Sequence, residues 1–188
     1  MKIINPEKFL LKITKILTEL KIDYFITGGF AVSVWGRPRT TADIDVVIKI
    51  IEAEVVPLTK ALRKISKGGY IDEDVAKNAV RRKGEFNFID PDTGLKVDFW
   101  ITKNDKRARE EFSHRILQKI DSQKIYFISP EDLILIKLNW YKQTNSSVHL
   151  EDVDSILKIS GKKLDFIYLK REAKNLNTLD ILNNILQS

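Results

Sequence analysis

Apolar residues recur along this chain in two rhythms, and the switches between them divide it. Near the start, Phe9, Leu10, Ile13, Ile16, Leu17 and Leu20 fall at helical spacing. They follow Asn5-Pro6-Glu7, where Asn5 suits an N-cap and Pro6 the first helical position. Tyr24 to Thr27 reads as a short strand stopped by Gly28-Gly29. Phe30 to Trp35 is apolar again and predicts a short helix behind the glycines, and Gly36-Arg37-Pro38-Arg39 predicts a loop. From Asp43 to Ile50 the pattern alternates: Ile44, Val46, Ile48 and Ile50 point one way, Asp43, Asp45, Val47 and Lys49 the other.

Helical spacing returns from about Glu52 to Ile65, ended by Lys67-Gly68-Gly69. Asp72 to Ala79 fits either a helical turn or a loop. Glu85 to Asp90 and Leu95 to Ile101 predict a hairpin, because Pro91-Asp92-Thr93-Gly94 between them supplies a turn proline and a glycine for the left-handed position. Lys106 to Phe112 predicts a helix, and Gln118 to Ile128 a strand pair or an extended edge around Asp121-Ser122. Ser129-Pro130-Glu131-Asp132 is a strong helix start, with a serine cap, a proline and acids in the first turn. That helix runs to about Lys142, and another from Leu150 to Ile159 stops near Gly161. Leu164 to Leu186 predicts two more, broken near Asn175 to Asn177. A strand-rich middle followed by a helical end predicts an α+β fold. Residues 1–128 would form a catalytic core, with 129–188 a helical part packed on it as one unit.

Length and composition add bounds. A chain of 188 residues with 43% hydrophobic content fits one domain with a sizeable core. The absence of cysteine excludes disulfides, thiolate metal sites and a cysteine nucleophile. Met-Lys-Ile-Ile-Asn-Pro-Glu-Lys lacks the apolar run of a signal peptide, and no stretch nears the roughly 18 apolar residues of a membrane span. A soluble, cytoplasmic protein without a membrane partner is expected. The net charge of +6 is a mild attraction toward polyanions, but the basic residues are scattered, as on a solvated lysine-rich surface.

Candidate chemistry gathers between Gly28 and Asp45. Asp43 and Asp45 share one strand face, where two carboxylates repel unless a cation lies between them. Hard cations such as Mg²⁺ take one or two carboxylates plus substrate phosphates. Gly28-Gly29 stands just before an expected helix, where bare backbone amides suit a phosphate. In the later strand Leu95, Val97, Phe99 and Ile101 share one face, and Lys96, Asp98 and Trp100 the other. If the two strands are neighbours, three carboxylates converge. That geometry serves in-line phosphoryl transfer, with two metals roughly 3.5–4 Å apart.

Gly28-Gly29, thirteen intervening residues, Asp43-Ile44-Asp45 and then a later Asp98 resemble the nucleotidyltransferase superfamily of the DNA polymerase β type. Arg39-Thr40-Thr41-Ala42-Asp43-Ile44-Asp45 and the helical segment Pro130 to Leu157 look like its small members, the minimal nucleotidyltransferases and the AbiEii-like toxin or abortive-infection proteins. The resemblance covers about Phe25 to Leu157. It implies a nucleotidyltransferase-like mixed sheet flanked by helices. It implies that Gly28 and Gly29 cradle the triphosphate, with Arg37, Arg39, Thr40 and Thr41 on the nucleotide side. Many members have a serine after the first glycine, and Gly29 lacks that hydroxyl. Asp43 and Asp45 would hold the catalytic Mg²⁺ ions, Mn²⁺ being the alternative. Asp98 would complete the second metal site and help deprotonate the acceptor.

Lys137 interrupts the apolar run Leu133 to Leu138, so its charge needs a partner or a path to water. The resemblance implies that it reaches the nucleotide phosphates and that Asp152 is its accompanying acid. Where relatives carry another acid, this chain has His149. His114 reads as structural or surface. Trp35, Trp100, Trp140 and Tyr141 read as core or pocket wall, although Trp100 shares the face of Asp98 and so lies within reach of a nucleobase. The implied reaction moves a nucleoside monophosphate from an NTP to a hydroxyl of an acceptor, a tRNA 3′ end or a protein side chain. A toxin–antitoxin or phage-defence setting would add a partner such as an antitoxin. The alternatives are a non-catalytic nucleotide-binding or antitoxin-type protein that retains the fold, and a basic RNA-binding module.

Overall fold

Asn5 starts the first helix, α1 (Pro6–Glu19), by accepting the Glu7 N–H at 2.9 Å, and the helix turns Phe9, Leu10, Ile13 and Leu17 inward. The computed structural model describes residues 5–41, 43–66 and 68–187. The expectations placed on Met1–Ile4, Ala42 and Lys67 lie outside the described residues. Strand β1 (Asp23–Thr27) runs directly into α2 (Gly28–Trp35), so the glycines open the helix instead of preceding it. Gly28 makes that transition at φ +62°, a conformation that costs glycine no steric penalty.

Strand β2 (Asp43–Lys49) and α3 (Glu52–Arg63) follow. The ambiguous segment after them is a true helix, α4 (Glu73–Arg82). Asp72 caps it by accepting from the Asp74 and Val75 amides, and Ala76, Ala79 and Val80 form its buried stripe. Small residues between charges hid that stripe. Strands β3 (Glu85–Asp90) and β4 (Leu95–Ile101) make the expected hairpin, with Gly94 at φ +73°. The Asp90 carboxylate fastens the turn, accepting from the Asp92 amide and the Thr93 hydroxyl. After α5 (Lys106–His114), β5 (Ile116–Ile120) and β6 (Gln123–Phe127) form a second hairpin, which decides the strand pair over the extended edge.

Ser129 caps α6 (Pro130–Thr144) by accepting the Asp132 amide at 3.1 Å. Helix α7 (Ser147–Ser160) begins three residues before the expected Leu150, because its first turn carries little apolar signal. A 3-10 turn, Gly161–Lys163, leads to α8 (Phe166–Asn175) and α9 (Leu179–Gln187). No described helix is long and apolar enough to cross a membrane.

The strands form one mixed sheet in the order β3-β4-β2-β1-β6-β5. β2 is antiparallel to β1 and parallel to β4. One face presents Ile44, Val46 and Ile48, Val97 and Phe99, and Phe86 and Phe88, all buried. Each such side chain contributes roughly 1.5–3 kcal/mol on burial. α1 lies over this face, stacking Phe9 on Phe88 at 6.2 Å, with α3 and α4 beside it. The other face carries Asp43, Asp45 and Val47 on β2, and Lys96, Asp98 and Trp100 on β4. Phe112 of α5 packs edge-on against Phe25 there, at 4.9 Å.

The C-terminal helices are tied to the sheet by polar contacts as well as by packing. The buried Asp132 carboxylate accepts from the Tyr168 hydroxyl at 2.6 Å and the Ser129 hydroxyl at 2.8 Å, and the His114 ring lies 3.2 Å away. His114 is thus a structural joint between α5 and α6. Trp35 belongs to the frame too, donating its indole N–H to the Ile128 carbonyl at 2.9 Å.

Candidate active site

The parallel pairing of β2 with β4 sets Asp45 directly beside Asp98, with Asp43 two residues earlier on the same face and paired with Lys96. Antiparallel pairing to β1 puts Thr27 on the other side of Asp45, and the chain then turns at Gly28. A Cβ at Gly28 would lie only 1.8 Å from Asp45 Oδ2, so the glycine makes room for the carboxylate as well as for the turn. Thr27 gives α2 no side-chain cap. By helix geometry the first-turn amides of α2 therefore lack an intrahelical partner at the edge of the cleft, the arrangement that suits a phosphate.

Gly29 is equally tight. A Cβ there would lie 3.0 Å from Thr41 Oγ1 and 3.3 Å from Arg39 Nη2. The Thr41 hydroxyl, which donates to the Asp43 carbonyl at 3.1 Å, thus fills the space that a side chain at position 29 would need. Thr40 is exposed on the same loop.

Burial pushes the Asp45 carboxyl above the usual carboxylate range. The Trp100 indole N–H and the Lys137 charge oppose the shift, and Asp98 and Asp43 add to it. Lys96 places its ammonium 2.8 Å from Asp98 Oδ2 and 3.9 Å from Asp43 Oδ2. The hydrogen bond to Asp98 is the main cause of the raised pKa of Lys96, so the lysine is firmly charged. As they stand, no three His, Asp or Glu side chains among the described residues close around a metal position. The donor chemistry nevertheless fits a hard divalent ion, since Asp43, Asp45 and Asp98 supply only carboxylate oxygens on one face. Lys96 already serves these acids as a monovalent cation.

Across from the acids, Lys137 is buried, its side chain 8% exposed. Its Nζ lies 2.7 Å from Asp152 Oδ2, so its partner is a carboxylate and the charge does not run out to solvent. Arg39 grips the same carboxylate from the loop, Nε to Oδ1 at 3.2 Å and Nη2 to Oδ2 at 3.4 Å. Arg37 reaches Asp154 at 3.6 Å, and its amide donates to the Ser155 hydroxyl at 2.6 Å. In this structure both loop arginines are therefore committed to α7.

Between the two charge clusters lies a cleft of about 510 Å³. Thr27, Gly28, Asp45, Val47 and Trp100 form its floor, and Ile136, Lys137 and Trp140 of α6 its roof. Lys103, Arg107 and His149 stand at its sides. His149 stacks on Trp140 at 6.4 Å, and its Nδ1 is buried without a partner. Burial, then the Lys137 charge, holds the His149 pKa below the ordinary imidazole value, while Asp152 pulls the other way. The pattern of the sequence had placed Trp100 on this face. Lys137 and Trp140 had also been marked by the sequence, whereas Lys103, Arg107 and Ile136 come from the fold and carried no signal of their own, and Lys96 was visible on the acid face without its partner being evident.

No protein-family model and no curated protein sequence matches this chain. Solved structures do. The antibiotic-resistance factor ANT(2″)-Ia superposes with a TM-score of 0.64 at 15% identity, over 95% of this chain and 97% of that one. The lincosamide adenylyltransferase LnuA, bound to lincomycin, gives 0.56 at 13% identity, over 84% and 98%. An antigenic nucleotidyltransferase-like protein from Paracoccidioides brasiliensis gives 0.54 at 22% identity, over 81% and 75%. The fold is that of the nucleotidyltransferases. The mixed sheet, the flanking helices and the helical end all agree with the α+β expectation.

Proposed function

We propose that this protein is a metal-dependent nucleotidyltransferase. It transfers a nucleoside monophosphate from an NTP to a hydroxyl of an acceptor and releases pyrophosphate. The observation that carries this reading is the register of Asp45 beside Asp98, next to the open first turn of α2 and across the cleft from Lys137. The α2 amides receive the triphosphate, with Gly28 and Gly29 leaving the approach clear. Lys137, pre-oriented by Asp152, faces the phosphates from the roof, and Arg39 and Arg37 brace the loop that carries Thr40 and Thr41. Asp43, Asp45 and Asp98 hold the Mg²⁺ ions, or Mn²⁺ in their place. When bound, the metal neutralises phosphate charge and makes the acceptor hydroxyl more acidic. Asp98 takes the hydroxyl proton as the oxygen attacks the α-phosphorus, and the bond to the bridging oxygen of the β-phosphate breaks.

The cleft also speaks to the acceptor. One neighbour, ANT(2″)-Ia, is seen in complex with adenylyl-2″-tobramycin. Here the cleft is lined by Lys103, Arg107, Lys137, Trp100, Trp140 and His149, and among the described residues Asp45 is the one carboxylate in its lining. Cations with aromatic faces suit an RNA 3′ end, such as that of a tRNA, better than a polyamine. A protein side chain is the acceptor to be tested against it. A toxin–antitoxin or phage-defence setting, with an antitoxin as partner, follows from the AbiEii-like sequence resemblance alone.

A second reading is favoured by one observation: Lys96 sits among the acids. It is a non-catalytic nucleotide-binding or antitoxin-type protein that keeps the fold. Incubation with α-labelled NTPs, Mg²⁺ and either bulk tRNA or a cell lysate separates the two. The enzymatic reading expects label on RNA that disappears in the double variant Asp43→Ala, Asp45→Ala. Label on protein moves the acceptor assignment. No label in any arm, or label that survives the double variant, rejects the enzyme.

A further inference from the structure

Three carboxylates share the open face of the sheet, and a lysine is built into the same face. Lys96 stands two residues before Asp98, and its ammonium lies within 4 Å of both Asp98 and Asp43, at 2.8 and 3.9 Å. Carboxylates on neighbouring strand positions repel one another unless a cation or a proton offsets them, and in this protein the chain itself provides a cation. The tether is loose. The Lys96 side chain is 34% exposed, so its four-carbon stem swings out without disturbing the core. Lys137 differs on every count, being buried and locked to Asp152.

We propose that Lys96 is an internal counter-ion that competes with divalent metal for Asp98 and Asp43. The nucleotide-free protein then holds metal weakly, and a triphosphate, by offering the ammonium another anionic partner, opens the acids to metal. The proposal rests on the nucleotidyltransferase reading for what the acids do, but the competition itself is independent of any turnover. Charge supports it. Three carboxylates and one ammonium leave a net −2, which a single divalent ion neutralises. A second ion is then disfavoured until a triphosphate adds its own charge. Lys96 would thus couple metal loading to nucleotide arrival, which limits idle metal binding at an exposed acid edge.

The test is a titration of the full-length, nucleotide-free protein with Mn²⁺, read by the loss of the free-ion electron paramagnetic resonance signal. Lys96→Met keeps the stem and removes the charge. It should bind Mn²⁺ about tenfold more tightly than the wild type, or better, the scale on which one adjacent cation alters the proton affinity of a carboxylate. Lys96→Arg keeps the charge and should stay within a few-fold of wild type. Should Lys96→Met fold poorly, Lys96→Gln serves in its place. Adding a non-hydrolysable NTP should narrow the gap between wild type and Lys96→Met. Equal Mn²⁺ affinity in wild type and Lys96→Met, or a gain in Lys96→Arg as large as in Lys96→Met, overturns the proposal. Label transfer measured on the same preparations reports on the enzymatic reading separately. Transfer without an affinity shift sinks the counter-ion alone, and a shift without transfer sinks the enzyme alone.

Discussion

Two clusters of charge face each other across the cleft, and they are built on opposite principles. On the floor, Asp43, Asp45 and Asp98 stand on neighbouring strands, and among the described residues Lys96 is the one cation that forms an ion pair with them. In the roof, Lys137, Asp152 and Arg39 form a set whose central carboxylate is only 4% exposed and is gripped from two sides. The first cluster is frustrated until something arrives. The second is complete by itself. Under the proposed reaction this division makes sense: the acids would receive metal, and the roof, already paired, would present a cation across the cleft from them. Substitutions should therefore damage chemistry on the floor and stability in the roof.

The largest effect is expected on the floor. Asp43→Ala with Asp45→Ala should cut label transfer by about a thousandfold or more, equivalent to about 4 kcal/mol of transition-state stabilisation. The same protein should melt no lower than wild type when metal-free. The sign follows from Asp45. Its folded pKa is raised chiefly by burial, so ionising it works against the fold, and its removal relieves that penalty at neutral pH. A clear drop in the metal-free melting temperature would show that the acids support the fold and would erase the contrast.

The roof should behave the other way. Asp152→Ala strands the buried Lys137 ammonium and should cost about 3–5 kcal/mol in denaturant unfolding. Replacing both partners by apolar residues, Lys137→Met with Asp152→Leu, should recover most of that stability while leaving transfer crippled. If the double variant is as unstable as Asp152→Ala, then Arg39 is the more important partner of Asp152.

Gly28 sits where the two designs meet. Gly28→Ala faces the left-handed backbone penalty, roughly 1–2 kcal/mol, and a direct clash with Asp45. Adding Asp45→Gly should relieve the clash and leave only the backbone part. A double-mutant cycle on melting temperature measures the difference. Additivity would mean that the carboxylate simply moves aside.

How much of this could be read from the residues depended on which forces set each feature. The alternation of Ile44, Val46 and Ile48 against Asp43 and Asp45, and of Val97 and Phe99 against Asp98, fixed which face each acid would take, because burial enforces period two. What it could not fix was that β2 and β4 would be adjacent, parallel and in register, since pairing is a long-range outcome. The same gap hid the Lys96 bridge and the commitment of Arg37 and Arg39 to α7. Arg39 looked like a phosphate ligand on its loop, and only the fold brings Asp152 beneath it. Helix α4 was ambiguous because alanines made its buried stripe, and the extra first turn of α7 was hidden by Ser147, Val148 and His149. The caps at Asn5 and Ser129, which depend on neighbours two or three residues away, were legible in full.

The smallest expected effect concerns His149, at the border of the roof. Its pKa is lowered, first by burial and then by Lys137, so the folded state resists protonating it. Below the ordinary imidazole value near 6.5 the unfolded chain takes up a proton that the native protein refuses. Stability should therefore fall as pH drops from 7 through that range, and the slope should be shallow because the ring is partly exposed. His149→Gln should flatten the slope between pH 7 and 5.5 in urea unfolding at fixed ionic strength. It should do so more strongly in wild-type Lys137 than in Lys137→Met, where one source of repulsion is gone. An unchanged slope in His149→Gln would place the pH response elsewhere.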